Sequence, residues 1–351
     1  RTVTAALRVQ GLDQQANFSK YHRLLSRARW SPMLLSRLLL GAILKALVPQ
    51  AAPVVLLIDE TLERRRGRRI LYKSWFRDAV RSHPHRACFS LGIRWCCVCV
   101  LAPVPWSSRP WALPFFVVPV LAEKTCQKLR KQPRSSTQWA ALLLQKVGRW
   151  YPDRELVLVG DGAYAVVALV QHCQQAPRPV KLVSRLRLDA VLHDFPGPHP
   201  PGRPGRRPKK GPRLPNLAER LEDPQTPWHK ATLSWYGGTE RTLELATGLC
   251  LWYTPRWDPV PLRWVLVRCP QEAPQSFSPT AYFCSDPAVA PEQLLAWFLG
   301  RWSIEVTFEE LRAHLGFETQ RQWAPRALER TTPCLFGLFS LVVLMAHCLH
   351  P

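Results

Sequence analysis

Carboxylates are the scarce side chains here: 25 Asp and Glu stand against 48 Lys and Arg in 351 residues, a formal net charge of +23. So many cations repel one another unless something neutralises them, so a polyanionic partner is expected. A secretory signal is also lacking, and the 11 cysteines are an odd count in a long chain. A secreted disulfide framework is thereby set aside, and the chain reads as cytosolic and reduced, with no disulfide partner. Cys96, Cys97 and Cys99 sit in the apolar run RWCCVCVLAP, where Cys serves as a small hydrophobe, and no second ligand pair at zinc-finger spacing follows. Pro333 to Pro351 is the one candidate membrane segment. Its apolar core falls short of the ~20 residues a spanning helix needs, and His347 and His350 interrupt its end. A buried helix, and no membrane partner, is the expectation. The chain opens at Arg1 rather than Met, which leaves two readings open: a trimmed start, or a fragment from which an upstream DNA-binding segment is missing. Its wealth of Arg, Ala and Pro points to a GC-rich bacterial genome.

What is present is 47% hydrophobic, with 15 Trp and 13 Phe, enough for a substantial core and for stacking surfaces. Residues 1–50 read as helical: Ser31-Pro32 supplies a cap and a first-turn proline ahead of LLSRLLLGAILKAL. The preceding SKYHRLLSRARW reads equally as a contact with DNA or as a bundle with charged rims. PVVLLIDET and ELVLVGDGAY are short aliphatic runs of the buried-strand kind, and each ends in an acid, Asp59 and Asp161. An acid at a strand's carboxyl end emerges where ligands bind. Further strands are expected in RACFSLGIRWCCVCVLAPV and RPWALPFFVVPVL, and helices at Gln138 to Trp150 and about Tyr164 to Gln174.

From Trp297 to Leu315 the chain reads WFLGRWSIEVTFEELRAHL. As a single helix turning ~100° per residue, it would gather Phe298, Arg301, Glu305 and Arg312 into one narrow sector. A carboxylate framed by two guanidiniums suits a metal ion held beside a phosphodiester.

This spacing resembles the YREK signature of the DDE insertion-sequence transposases, with Phe298 in place of Tyr and Arg312 in place of Lys. The resemblance implies an α/β fold: an RNase H-like mixed sheet flanked by helices, with an N-terminal helical segment and a β-rich insertion before the last catalytic helix. The implied divisions are 1–50 (helical segment), 51–178 (first part of the core), 179–290 (β-rich insertion with a basic Pro/Gly segment) and 291–351 (C-terminal helices). It further implies that Asp59, Asp161 and Glu305 form a DDE triad holding two Mg²⁺ (or Mn²⁺) ions, which catalyse in-line displacement with no covalent protein–DNA intermediate. Glu309 is the fallback for Glu305, and Glu60 is expected on the opposite face of its strand.

Phe298, Arg301 and Arg312 are then DNA-contacting residues. So are Arg64, Arg65 and Arg66 in the basic run ETLERRRGRRIL, and Arg206, Arg207, Lys209 and Lys210 in GRPGRRPKKG, where phosphate contacts would be independent of sequence. Trp235, Trp252, Trp257 and Trp264 are candidate base-stacking residues, or core tryptophans of a small sheet. The implied partners are double-stranded DNA (transposon ends and target) and a second copy of the chain, a homodimer on DNA at the nucleoid. An inactive, DNA-binding relative and an RNase H-like nuclease are the alternatives.

Overall fold

In the computed structural model, described over residues 3–83, 85–198, 207–235, 238–270 and 277–349, helices come first. These are α1 (Val3–Val9), α2 (Ser19–Ser26) and α3 (Pro32–Leu47). The α3 start follows the sequence: Ser31 Oγ accepts the Leu34 N–H at 3.2 Å and Pro32 opens the first turn. Strands β1 (Val54–Arg64), β2 (Ser74–Arg77), β3 (Phe89–Ala102) and β4 (Trp111–Val120) come next, then α4 (Glu123–Leu129), α5 (Ser136–Trp150), β5 (Leu156–Gly160), α6 (Val167–Gln174), β6 (Lys181–Leu186) and β7 (Leu192–His193). The chain continues through α7 (Leu217–Glu222), β8 (His229–Ser234), β9 (Glu240–Trp252), β10 (Val260–Arg268) and β11 (Thr280–Cys284). It closes with α8 (Pro291–Gly300), α9 (Trp302–Ala313) and α10 (Pro325–Leu349). The class is mixed α/β, as the alternation of aliphatic runs and helical periods requires.

Two compact units divide these elements. The first comprises Arg1–Ala51, Leu57–Trp139 and Ser303–Pro351; the second comprises Ala52–Leu56 and Ala140–Trp302. In the first, β3 is the central strand. β2 pairs antiparallel with its start (Arg77 opposite Phe89, Ser74 opposite Gly92), and β4 pairs with its remainder from Arg94–Val120 to Ala102–Trp111. β1 runs along the other edge of β3, where the Arg65 N–H donates to the Leu91 carbonyl at 3.0 Å. α3 and α10 cover β4. Cys96, Cys97 and Cys99 are buried in β3 as small apolar residues, and all eleven cysteines are free thiols.

α10 departs from expectation. It starts at Pro325 and runs 25 residues, long and apolar enough by length and composition to cross a membrane, with 28% of its most apolar stretch buried. Its inner face packs on β4, α2 and α3, while Leu338, Leu341, Val342 and Met345 face outward. It is therefore only partly the buried helix that the sequence suggests.

In the second unit the β5–β6 pair is parallel, Val157 opposite Lys181 and Val159 opposite Val183. The first residues of β1 join its outer side, the Val54 N–H donating to the Glu155 carbonyl at 2.8 Å. β11 lies antiparallel to β6, β10 to β11 and β9 to β10, and β9 also carries β7 and β8. The β-rich stretch thus extends the sheet that β5 and β6 begin. Helices α6 and α8 pack on it. Trp264 and Trp252 are core residues there, at 4% and 9% exposure; Gly248 leaves room for the Trp264 ring, since a Cβ at that glycine would stand 2.6 Å from Cζ2.

Candidate active site

β1 carries the first acid further along than its aliphatic run suggests. Val54 to Ile58 are all buried, yet the strand continues through Arg64, so Asp59 lies mid-strand rather than at its end. Alternation places Asp59, Thr61 and Glu63 on one face and Glu60, Leu62 and Arg64 on the other. Glu60 pairs with Arg94 at 3.3 Å and accepts a hydrogen bond from Ser136, so the opposite-face expectation for it holds. Asp59 is half-buried, and its Oδ1 accepts the Glu60 N–H at 2.7 Å. Its charge is one of the influences that raise the buried Cys97 thiol, after burial itself and the Cys99 neighbour.

The third acid sits on α9, whose buried residues Ile304, Thr307, Phe308 and Leu311 recur at helical spacing. Glu305 and Arg312 are seven residues apart, on one flank of that stripe, and both are half-buried. The helix is pinned at both ends. Ser303 Oγ donates to the Pro110 carbonyl at 3.0 Å and Thr307 Oγ1 to the Ala112 carbonyl at 2.8 Å. Arg312 Nη2 donates to Thr61 Oγ1 at 2.6 Å, on the Asp59 face of β1 and two residues beyond it. The flank bearing Glu305 is therefore the flank tied to β1, while Glu309 and Glu310 are exposed.

Asp161 follows β5, in which all five residues are buried. It caps a 3-10 turn, Gly162–Tyr164, with Oδ1 accepting the Ala163 N–H at 3.0 Å. Its carbonyl accepts from Ser184 Oγ on β6 at 2.6 Å. Gly160 sets this turn, because a Cβ there would stand 2.7–2.9 Å from Cδ2, Cγ and Cβ of the buried Tyr164. Gly160→Ala is expected to cost about 1–3 kcal/mol through that overlap, read as a lowered midpoint in urea unfolding; an unchanged midpoint would show that the ring yields freely. Asp59 and Glu305 belong to the first unit and Asp161 to the second.

Several expectations need correction. The signature segment is two helices, not one: the Arg301 N–H bonds back three residues to the Phe298 carbonyl, tightening the turn and ending α8 before α9 begins. Phe298 is 3% exposed, with its ring 4.5 Å from that of Tyr282, so it is a packing residue and not a DNA contact. Arg312 is held by Thr61, by Glu318 at 2.9 Å and by the Phe308 carbonyl.

The basic run is likewise partly consumed inside the fold. Arg64 forks onto Asp78 at 2.8 and 2.9 Å and reaches Glu318, and Arg65 is buried against Glu63. Burial alone would raise Asp78, but the bonds from Arg64 and Ser90 outweigh it and hold the carboxyl below its ordinary value. Arg66 is exposed. Of the second cluster, Arg206 lies outside the described residues and Arg207 is exposed. Lys209 pairs with Asp258, and Lys210 stands 3.7 Å from the centre of the Tyr253 ring. Trp235 stacks on Phe277 at 5.2 Å, while Trp257 is 46% exposed. Sequence reasoning missed Thr61, Asp78 and Glu318, the partners that fix these arginines; an isolated polar residue in a strand or loop gives no signal of a long-range ion pair.

A family model described as "DDE superfamily endonuclease" matches residues 1–242, a stretch that contains Asp59 and Asp161 and ends before Glu305. No curated protein matches the chain. Among solved structures, the piggyBac transposase synaptic complex with hairpin DNA, determined by cryo-EM, is similar at 12% identity and a TM-score of 0.43. The likeness covers 99% of this chain and 59% of that one. Endonucleases of the DDE type generally use divalent metal ions. Among the described residues, no three His, Cys, Asp or Glu side chains stand where one ion would hold them together.

Proposed function

Because the chain belongs to the DDE superfamily endonucleases, we propose that it is a DNA transposase that cuts transposon ends and joins them to target DNA by in-line phosphodiester displacement. The observation that carries this reading is the family match over residues 1–242, with an acid in β1 and another just past β5. In this reading Asp59, Asp161 and Glu305 are the catalytic carboxylates and would hold two Mg²⁺ or Mn²⁺ ions. Those ions would supply an activated water and charge stabilisation at the leaving oxygen. The chain's own cations then hold the polyanion: a net charge of +23 favours DNA whatever its sequence, and affinity falls steeply with salt. A homodimer on paired ends belongs to the same proposal.

The test is cleavage of DNA bearing candidate ends. Purified protein is expected to nick labelled duplex in Mg²⁺ and to stop in EDTA, and strand-transfer products on a target plasmid separate a transposase from a nuclease. A second reading is a catalytically silent DNA-binding relative, and the same assay separates the two. Tight DNA binding with no metal-dependent nicking at any salt would establish that reading instead.

A further inference from the structure

We infer that the first unit carries a stacking site for unpaired DNA in the hollow between the β2–β3 ribbon and the Arg64–Arg66 segment at the end of β1; the inference rests on the DNA reading above. The hollow, about 610 Å³, is lined by Arg64, Arg66, Trp75, Arg81, Phe89 and Glu318 among others, a volume within the ordinary range for a small-ligand site. Its aromatic wall follows from register. Trp75 lies opposite Leu91 and Arg77 opposite Phe89, so alternation puts Trp75, Arg77, Phe89 and Leu91 on one face, while Phe76 and Ser90 point inward and are buried. Trp75 is 67% exposed and Phe89 60%. As diagonal neighbours across an antiparallel pair their positions are roughly 7–8 Å apart, about twice the 3.4 Å stacking repeat of a nucleic-acid strand. One base fits that interval.

Charge selects the occupant. Arg64 is engaged by Asp78 and Glu318, and Glu318 is held in turn by Arg64 and Arg312, so these groups form the frame. Arg66 and Arg77 are exposed, and Arg81 is 58% exposed with only a 3.8 Å approach to Asp78. These three cations can follow a phosphate backbone while the rings take bases, the combination that binds single strands without regard to sequence. Duplex DNA keeps its base faces stacked within and offers phosphates, sugars and groove edges, none of which an aromatic ring can stack on. A second copy of this chain, itself carrying +23, is the poorer match for the face.

The experiment is metal-free binding in EDTA, at about 0.1 M salt, of a labelled oligo(dT) of about 12 nucleotides and of a duplex hairpin of similar length. The full chain is compared with W75A/F89A, W75L/F89L and W75F/F89Y. Either of the first two doubles is expected to bind the single strand at least tenfold more weakly, with duplex affinity within twofold. W75F/F89Y should stay within threefold for both. The leucine pair keeps apolar bulk without a ring face, so it answers the question should the alanine pair fail to fold. Equal losses for both DNAs, no loss for the single strand, or a parent dimer that W75L/F89L converts to monomer would each overturn the site. Because no cleavage is read, these outcomes are independent of whether the chain cuts DNA.

Discussion

Replacing Glu305 with Gln is expected to lower DNA cleavage about 10³-fold or more while leaving DNA affinity within about threefold, and Asp59→Asn and Asp161→Asn should do the same. The amide keeps the size of each side chain and removes the charge a hard divalent ion requires, and the ion's charge stabilisation is worth several kcal/mol, hence the factor in rate. Affinity barely moves because it is set by the cationic excess and not by three carboxylates. Glu309→Gln and Glu60→Gln are the controls: Glu309 is exposed on α9, and Glu60 is occupied by Arg94 and Ser136 on the far face of β1. Both should cut normally. Labelled-end cleavage gels and mobility shifts on the same DNA measure the two quantities. Loss of cleavage in Glu309→Gln with activity retained in Glu305→Gln would move the third acid one helical turn along. Parallel loss of cleavage and binding in all three acid variants would make these residues structural.

The acids were legible for a simple reason. VVLLI and LVLVG are runs of five aliphatic or small residues, buried throughout, and such runs announce a strand without help from the rest of the chain. The Ser31-Pro32 start of α3 is local in the same way. What followed Asp59 was not legible. ETLER looks like the polar exit of a strand, yet Thr61 and Glu63 are buried in it because Arg312 and Arg65 satisfy them. Arg312 stands 251 residues from Thr61, and a partner that distant leaves no mark on a sequence window. The same holds for the arginine run, where Asp78 and Glu318 claim Arg64. The interruption at Arg301 was hard to read for another reason. Gly300 is the one local stop signal, but an isolated glycine is tolerated inside a helical pattern and a period of 3.6 continues through a single tightened turn, so the packing of Phe298 on Tyr282 is what reveals which side chains face the core.

Arg65 supplies the largest expected effect on stability. Glu63 is fully buried, with Oε1 2.5 Å from Arg65 Nη1 and Oε2 accepting the Trp95 indole N–H at 2.7 Å; Arg65 also donates to the Gln322 carbonyl. Arg65→Met keeps much of the side-chain volume but leaves that carboxylate buried without its counter-charge, a change that costs about 3–5 kcal/mol. The sign of the pH dependence follows. Burial raises Glu63 above its ordinary 4.5, and Arg65 is the main influence opposing that rise. Without Arg65 the native state holds the proton more tightly still. A carboxyl with a raised folded value contributes its stability below the ordinary value and loses it as pH climbs through the folded one. Arg65→Met should therefore approach the parent near pH 4.5 and fall away from it toward pH 8. Asp78, held low, works in the opposite direction in both proteins and cancels when the two are compared. E63Q/R65M, with no charge left to bury, should recover part of the loss and show a flatter difference from the parent across pH; urea unfolding of the four members of the cycle at several pH values measures the coupling. A variant within 1 kcal/mol of the parent at pH 8, or a double variant no better than Arg65→Met, would show that solvent reaches Glu63 and that β1 is not held by this pair.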